Sequence, residues 1–123
     1  MEDFVPIRLK KNDNPLWKAL VRLGRKRKIE FYEFNKIKGL KGFCVWHKGD
    51  KAIFINTDIL DSEFKCHVLA HELGHAVLHA GVCNRDLYFN DKEYSTKIEN
   101  EANKFADKLI RLLKRKLQAG EKK

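Results

Sequence analysis

Proline and cysteine are scarce in this 123-residue chain, with 2 and 3 copies, and methionine occurs once. No apolar run approaches the roughly 20 residues needed to cross a bilayer, which argues against a membrane span. Cys44, Cys66 and Cys83 are odd in number and irregularly spaced. That excludes a disulfide framework, fits a reducing compartment, and leaves them as small buried or half-buried side chains. The opening Met1-Glu2-Asp3-Phe4-Val5-Pro6 has no basic stretch followed by an apolar one, so no export signal or anchor is expected and a cytoplasmic location is. Acidic residues are the minority charge, 17 against 26 basic ones, for a net +9. The basic excess gathers in Arg22 to Lys28 and in Lys108 to Lys123 and favours acidic partners. Both segments also carry helical apolar spacing, so solvated helix faces explain them as well. Helix-turn-helix and zinc-finger spacings are missing, and direct nucleic acid binding is not favoured.

What is present is the composition of one folded domain, residues 1–123, with 43% hydrophobic and 11% aromatic side chains and a tail expected to fray over 118–123. Leu16, Trp17, Leu20, Val21 and Leu23 follow Asn14-Pro15 at helical spacing and predict an N-terminal amphipathic helix to about Lys28. Ile29 to Phe34, Gly42 to Trp46 and Ala52 to Asn56 are rich in β-branched and aromatic residues and predict three short strands. The polar segment His47 to Lys51 with its glycine suits a hairpin between the last two. Asp61 or Ser62 can cap a helix running to about Ala80, which Gly81 stops. After a polar loop, a second long helix is expected from Ser95 or Thr96, with Ile98, Ala102, Phe105, Leu109 and Leu113 as its apolar stripe. The fold class is therefore α+β: a small, mostly antiparallel sheet packed on the first long helix, with an N-terminal helix and a long C-terminal helix.

The first long helix contains Ala70-His71-Glu72-Leu73-Gly74-His75-Ala76-Val77-Leu78-His79, with His-Glu-x-x-His at its centre. Residues four apart on a helix differ by about 40° in direction and about 6 Å in height, so both imidazoles can reach one metal ion. Glu72 then projects toward the open position, where it can take a proton from an attacking water and return it to the leaving amine. The surrounding Leu69, Leu73, Ala76 and Val77 supply an apolar face. A catalytic zinc needs a third protein ligand. A histidine six residues after His75 is ruled out, because that position is Gly81. Two carboxylates remain, Glu99 and Glu101. Glu99 is favoured because it shares the stripe of Ile98 and Ala102, with Asn103 one turn later where its amide can orient a ligating histidine. Thr96-Lys97-Ile98-Glu99 equally fits a helix capping box. Two histidines and a carboxylate also suit manganese or iron.

Ile53-Phe54-Ile55-Asn56, the segment from Leu69 to His79, and Ile98 to Leu109 together resemble the ImmA/IrrE metallopeptidases over about residues 53 to 113. The resemblance implies a gluzincin-like fold with one Zn2+ held by His71, His75 and Glu99. It also implies cleavage of a protein substrate, a DNA-binding repressor of a mobile element, phage or stress regulon. The chain departs from the family at Ile110-Arg111-Leu112-Leu113, where members often carry a Met-Pro pair. His67 and His79 lie one turn to either side of the paired histidines and can serve as orienting or substrate-polarising groups. Tyr88 and Tyr94 are candidates for donating a hydrogen bond to the tetrahedral oxyanion. An edge strand beside the metal would pair with the substrate backbone, which gives Ile53 to Asn56, Ile55 and Asn56 above all, a binding role.

Overall fold

In the computed structural model, which describes residues 7–35 and 37–121, Asn14 starts helix α1 (Pro15–Lys26) by accepting the N–H groups of Leu16 and Trp17. A two-residue strand that the sequence did not signal, β1 (Ile7–Arg8), precedes it. Strands β2 (Ile29–Phe34), β3 (Gly42–His47) and β4 (Asp50–Asn56) follow within a residue or two of expectation. The turn between β3 and β4 places Lys48 and Gly49 both at positive φ, which matches the twist of a tight hairpin.

The strand order is β1-β2-β4-β3, so the sheet is mixed. β1 and β3 pair antiparallel with their neighbours, but the central junction of β2 with β4 is parallel, Phe31 opposite Ile53 and Glu33 opposite Ile55. An expectation of mostly antiparallel pairing holds for two of three junctions and misses the central one. The hairpin turns β4 back into the middle of the sheet, where its Ile53 and Ile55 are fully buried, and leaves β3 outside. Phe31, Ile53 and Ile55 face the helices, while Tyr32, Phe54, Phe43 and Phe34 form a row of aromatic contacts on the other face.

Placing β4 in the interior overturns the binding role given to Ile53, Ile55 and Asn56. Both edges of β4 are already paired, and Ile53 and Ile55 belong to the core. Asn56 ties down the preceding loop, its amide donating to the carbonyls of Ile37 (3.2 Å) and Leu40 (2.8 Å) and accepting from the Asp58 N–H at 2.8 Å. Among the described residues β3 forms one edge of the sheet and β1 the other.

Helix α2 (Ser62–Gly74) starts at Asp61, whose carboxylate accepts the Phe64 N–H at 3.0 Å. It lies between the sheet and the last helix, so burial runs round most of its circumference, from Cys66 and Val68 through Ala70 and Glu72 to Leu73, and not along one stripe. The helix continues as a π-helical turn, His75–His79, in which the Ala80 N–H reaches back to the His75 carbonyl at 2.9 Å. Gly81, at φ +83, then ends it as expected.

The segment expected as a polar loop holds a short helix, α3 (Arg85–Asn90), capped by Asn84. Helix α4 (Lys92–Glu121) begins a turn before Ser95, because Asp91 accepts the N–H of Tyr94 through its side chain and that of Ser95 through its carbonyl. Thr96 is thus inside the helix, and Glu99 is not needed as a capping group. The helix runs on through 118–121, where a frayed tail was expected; Lys122 and Lys123 lie outside the described residues. α4 docks on α2 through Ile98, Ala102 and Ala106, all buried.

Gly74 sets the closeness of that docking. A Cβ built there would lie 3.1 Å from the Ala102 Cα and 3.1 Å from its carbonyl oxygen, both backbone atoms that cannot rotate away. Gly74→Ala should therefore lower stability, the overpacking cost of about 1–3 kcal/mol outweighing the roughly 1 kcal/mol that alanine gains in helix propensity. Thermal unfolding of the metal-free chain checks this, and an unchanged or raised Tm would show that α4 yields freely.

Candidate metal centre

The α2–α4 contact brings three ligand atoms together. His71 Nε2 lies 3.1 Å from His75 Nε2 and 3.3 Å from Glu99 Oε1, and Glu99 Oε2 lies 2.8 Å from His75 Nε2. These three side chains form the potential metal cluster found among the described residues. Four ligands at about 2.0–2.1 Å from a tetrahedral zinc stand roughly 3.3 Å apart, close to the spacing observed. Glu99 Oε2 is buried and lacks a hydrogen bond of good geometry. Glu101, the other carboxylate considered, points elsewhere: its Oε1 lies 3.0 Å from His79 Nε2.

The groups behind the cluster decide where its protons sit. Asn103 Oδ1 lies 2.7 Å from His71 Nδ1 and, as a carbonyl oxygen, can only accept. His71 therefore carries its hydrogen on Nδ1 and turns a bare Nε2 lone pair to the cluster. Bare nitrogens and a carboxylate pointing at one another repel unless a cation sits among them, so the donor set fits a divalent metal. Without one, the residues pull on a proton instead. The Glu99 hydrogen bond raises the His71 pKa against the effect of burial, and hydrogen bonds from His71 and His75 hold the Glu99 carboxyl well below the usual carboxylate range.

Glu72 stands beside the cluster, only 7% exposed. Burial pushes its carboxyl up to about 7, against the opposing pull of His75 and His71. It opens onto a cleft of about 680 Å3 that His75 and Glu99 also line. Edge strand β3 from Gly42 to Trp46 forms one wall, and Arg85, Tyr88 and Phe89 of α3 form another. Arg85 donates to the Trp46 carbonyl at 3.1 Å and stacks over its ring, which fastens α3 to the end of β3.

Of the two tyrosines proposed from sequence, Tyr88 lines the cleft. Its pKa is raised first by burial and then by Glu99, so the phenol keeps its proton and remains a donor. Tyr94 is committed elsewhere, since its hydroxyl accepts the Asn84 N–H at 2.8 Å and braces the start of α3. An oxyanion role for Tyr94 is not supported by that position. His67 sits 3.5 Å from Asp107 and is nearly half exposed, outside the cluster. His79 is buried, with its Nδ1 2.9 Å from His75 Nδ1. The Cys44 thiol lines the cleft too, but burial and then Glu72 push it up to about 12, so it is no nucleophile at neutral pH.

Sequence reasoning missed the β3 wall, Arg85 and Phe89. The one local signal for α3 was Asn84 as a cap with Asp86 in the first turn. Nothing in the strand pattern marked β3 as the edge.

The family model for the IrrE N-terminal-like domain, a peptidase domain, matches residues 29–110, about two thirds of the chain. No curated protein and no solved structure gives a match.

The Glu72 carboxyl makes stability depend on pH in the metal-free chain. Its folded pKa, about 7, is above the ordinary 4.5, so between those values the folded state binds a proton that the unfolded state has lost. Stability from this group is complete below pH 4.5 and is lost as pH rises to about 7. Glu72→Gln removes the effect. The variant should match wild type in acid and exceed it above neutrality, by at most about 3 kcal/mol. Denaturant unfolding across that range in the presence of chelator measures it, and parallel curves would contradict the burial assigned to Glu72.

Proposed function

This chain belongs to the family of IrrE N-terminal-like peptidase domains, and we propose that it is a zinc-dependent endopeptidase acting on a protein regulator, a DNA-bound repressor of a mobile element, phage or stress regulon. The observation that carries this reading is the convergence of His71, His75 and Glu99 at the mouth of a cleft with Glu72 beside them. Bound zinc supplies Lewis acidity toward a water and a peptide carbonyl. The protein's own groups do the rest. Glu72, buried beside the cluster and facing the cleft, takes the proton of the attacking water and delivers it to the amine that leaves. Tyr88, holding its proton, donates a hydrogen bond to the carbonyl oxygen as negative charge gathers there. The outer side of edge strand β3, which lines the cleft, receives the extended substrate by backbone pairing, which holds the scissile bond across Glu72 and His75. Trp46 and Phe89 offer apolar surface to side chains flanking that bond.

Elemental analysis should find about one zinc per wild-type chain, reduced in His71→Ala, His75→Ala and Glu99→Ala. Glu72→Gln should keep the metal and lose cleavage of the cognate repressor by about 100- to 10,000-fold. Tyr88→Phe should reduce kcat by about 100-fold with little change in KM. A wild-type chain that takes up no zinc from a saturating supply would defeat the reading.

A second reading, contact with an acidic partner, draws support from a separate cleft of about 670 Å3 in which Lys10, Lys11, Lys18, Arg22, Arg25 and Lys26 surround Trp17 and Val21. The DNA that carries the repressor is the partner this charge suits. Binding of a mixed-sequence duplex to Glu72→Gln should weaken steeply with salt and fall further when Arg22 and Arg25 become Ala. Salt-independent binding, or none, would remove this second reading and leave the first intact.

A further inference from the structure

His79 and Glu101 form a second pair of polar groups behind the cluster, and with Glu101 as carboxylate and His79 uncharged their geometry fixes one placement of hydrogens. His79 is 4% exposed, so water does not substitute for its partners. Its Nε2 lies 3.0 Å from Glu101 Oε1 and its Nδ1 lies 2.9 Å from His75 Nδ1. A carboxylate accepts and does not donate, so the hydrogen of neutral His79 resides on Nε2. The Nδ1 of His79 is then a lone pair, and the hydrogen between the two imidazoles belongs to His75. With Nδ1 protonated, His75 turns its bare Nε2 toward His71 and Glu99.

We propose that Glu101 and His79 are positioning residues: the carboxylate of Glu101 fixes the tautomer of His79, and His79 fixes that of His75, so that His75 presents a ligating Nε2. The inference rests on the metallopeptidase reading and extends it to two residues that do not touch the metal. Asn103 performs the same service for His71 in a single step. His75 needs two steps, because the π-helical turn tucks His79 beneath it, between His75 and α4. The same turn carries the Ala80 N–H back to the His75 carbonyl, fixing the backbone on which both rings stand. Glu99 and Glu101 thereby divide the work of one helix end, one ligating and one directing a ligand from behind.

Competition with a chromophoric chelator reads zinc affinity without any cleavage assay. Glu101→Ala and His79→Phe should each bind zinc about 10- to 100-fold more weakly than wild type. His79→Gln should retain affinity within a few fold, since its amide can accept from His75 and donate to Glu101. A role in packing alone predicts the opposite order, with the large apolar Phe tolerated at this buried position. Long-range proton–nitrogen correlation NMR of zinc-loaded wild type should find the His75 hydrogen on Nδ1 and the His79 hydrogen on Nε2. Unchanged zinc affinity in Glu101→Ala, or a His79 hydrogen on Nδ1, overturns the relay while wild-type zinc binding leaves the metal site standing. A wild-type chain without zinc affinity overturns both.

Discussion

Everything at this site depends on how closely α4 can approach α2. The ligands come from two helices separated by the α3 segment, and no local pattern holds them together. Contact of Gly74 with the Ala102 backbone lets the axes approach, and the approach carries Glu99 to His71 and His75, Asn103 to His71 and Glu101 to His79. Three side chains along one stretch of α4 are thus registered against three histidines of α2 and its π turn by a contact that is itself apolar. The approach is a packing matter first, and its chemical result follows from the spacing of polar residues around Ala102.

The elements near the N-terminus were legible because their signals are local. Asn14-Pro15 marks a helix start, and runs such as Ala52 to Asn56 mark strands, by properties of adjacent residues. Strand order was not legible, since period-two alternation says which face is buried and is silent on which neighbour lies alongside. That silence produced the misplaced substrate strand: β4 takes the interior with Ile53 and Ile55 fully buried, while β3, with Gly42 and the partly exposed Trp46, takes the edge. The start of α4 was misread for a related reason. Asp91, Ser95 and Thr96 are all good caps in isolation, and only the preceding turn of α3 selects Asp91.

The candidate metal ligands carried the plainest sequence signal, because His71 and His75 lie on one helix at a spacing that suits one metal ion. Glu99 and Glu101 were harder to separate. Two residues apart on a helix, they point some 160° from each other, and pattern alone left one of them without a task. The structure gives Glu101 to His79, which explains why an acid at that place is compatible with a ligand two residues earlier. Tyr88 and Tyr94 divide in the same way, one toward Glu99 and one into the brace of α3.

A site made of converging lone pairs works against the fold that carries it. His71, His75 and Glu99 face one another while Glu72 is buried beside them, and each would be better solvated apart. The fold compensates with apolar contacts of α2 on both sides, Leu69, Leu73 and Ala76 among them. A cation bound only by the folded state adds stability through mass action, and one held by His71, His75 and Glu99 would join α2 directly to α4. Over its last turns, past Leu113, α4 keeps few side chains against the core, with Leu117 alone partly buried among the described residues. Anchorage at its start therefore matters more than its length. Metal occupancy and the seating of α4 are two aspects of one equilibrium, and whatever disturbs the α2–α4 contact acts on both.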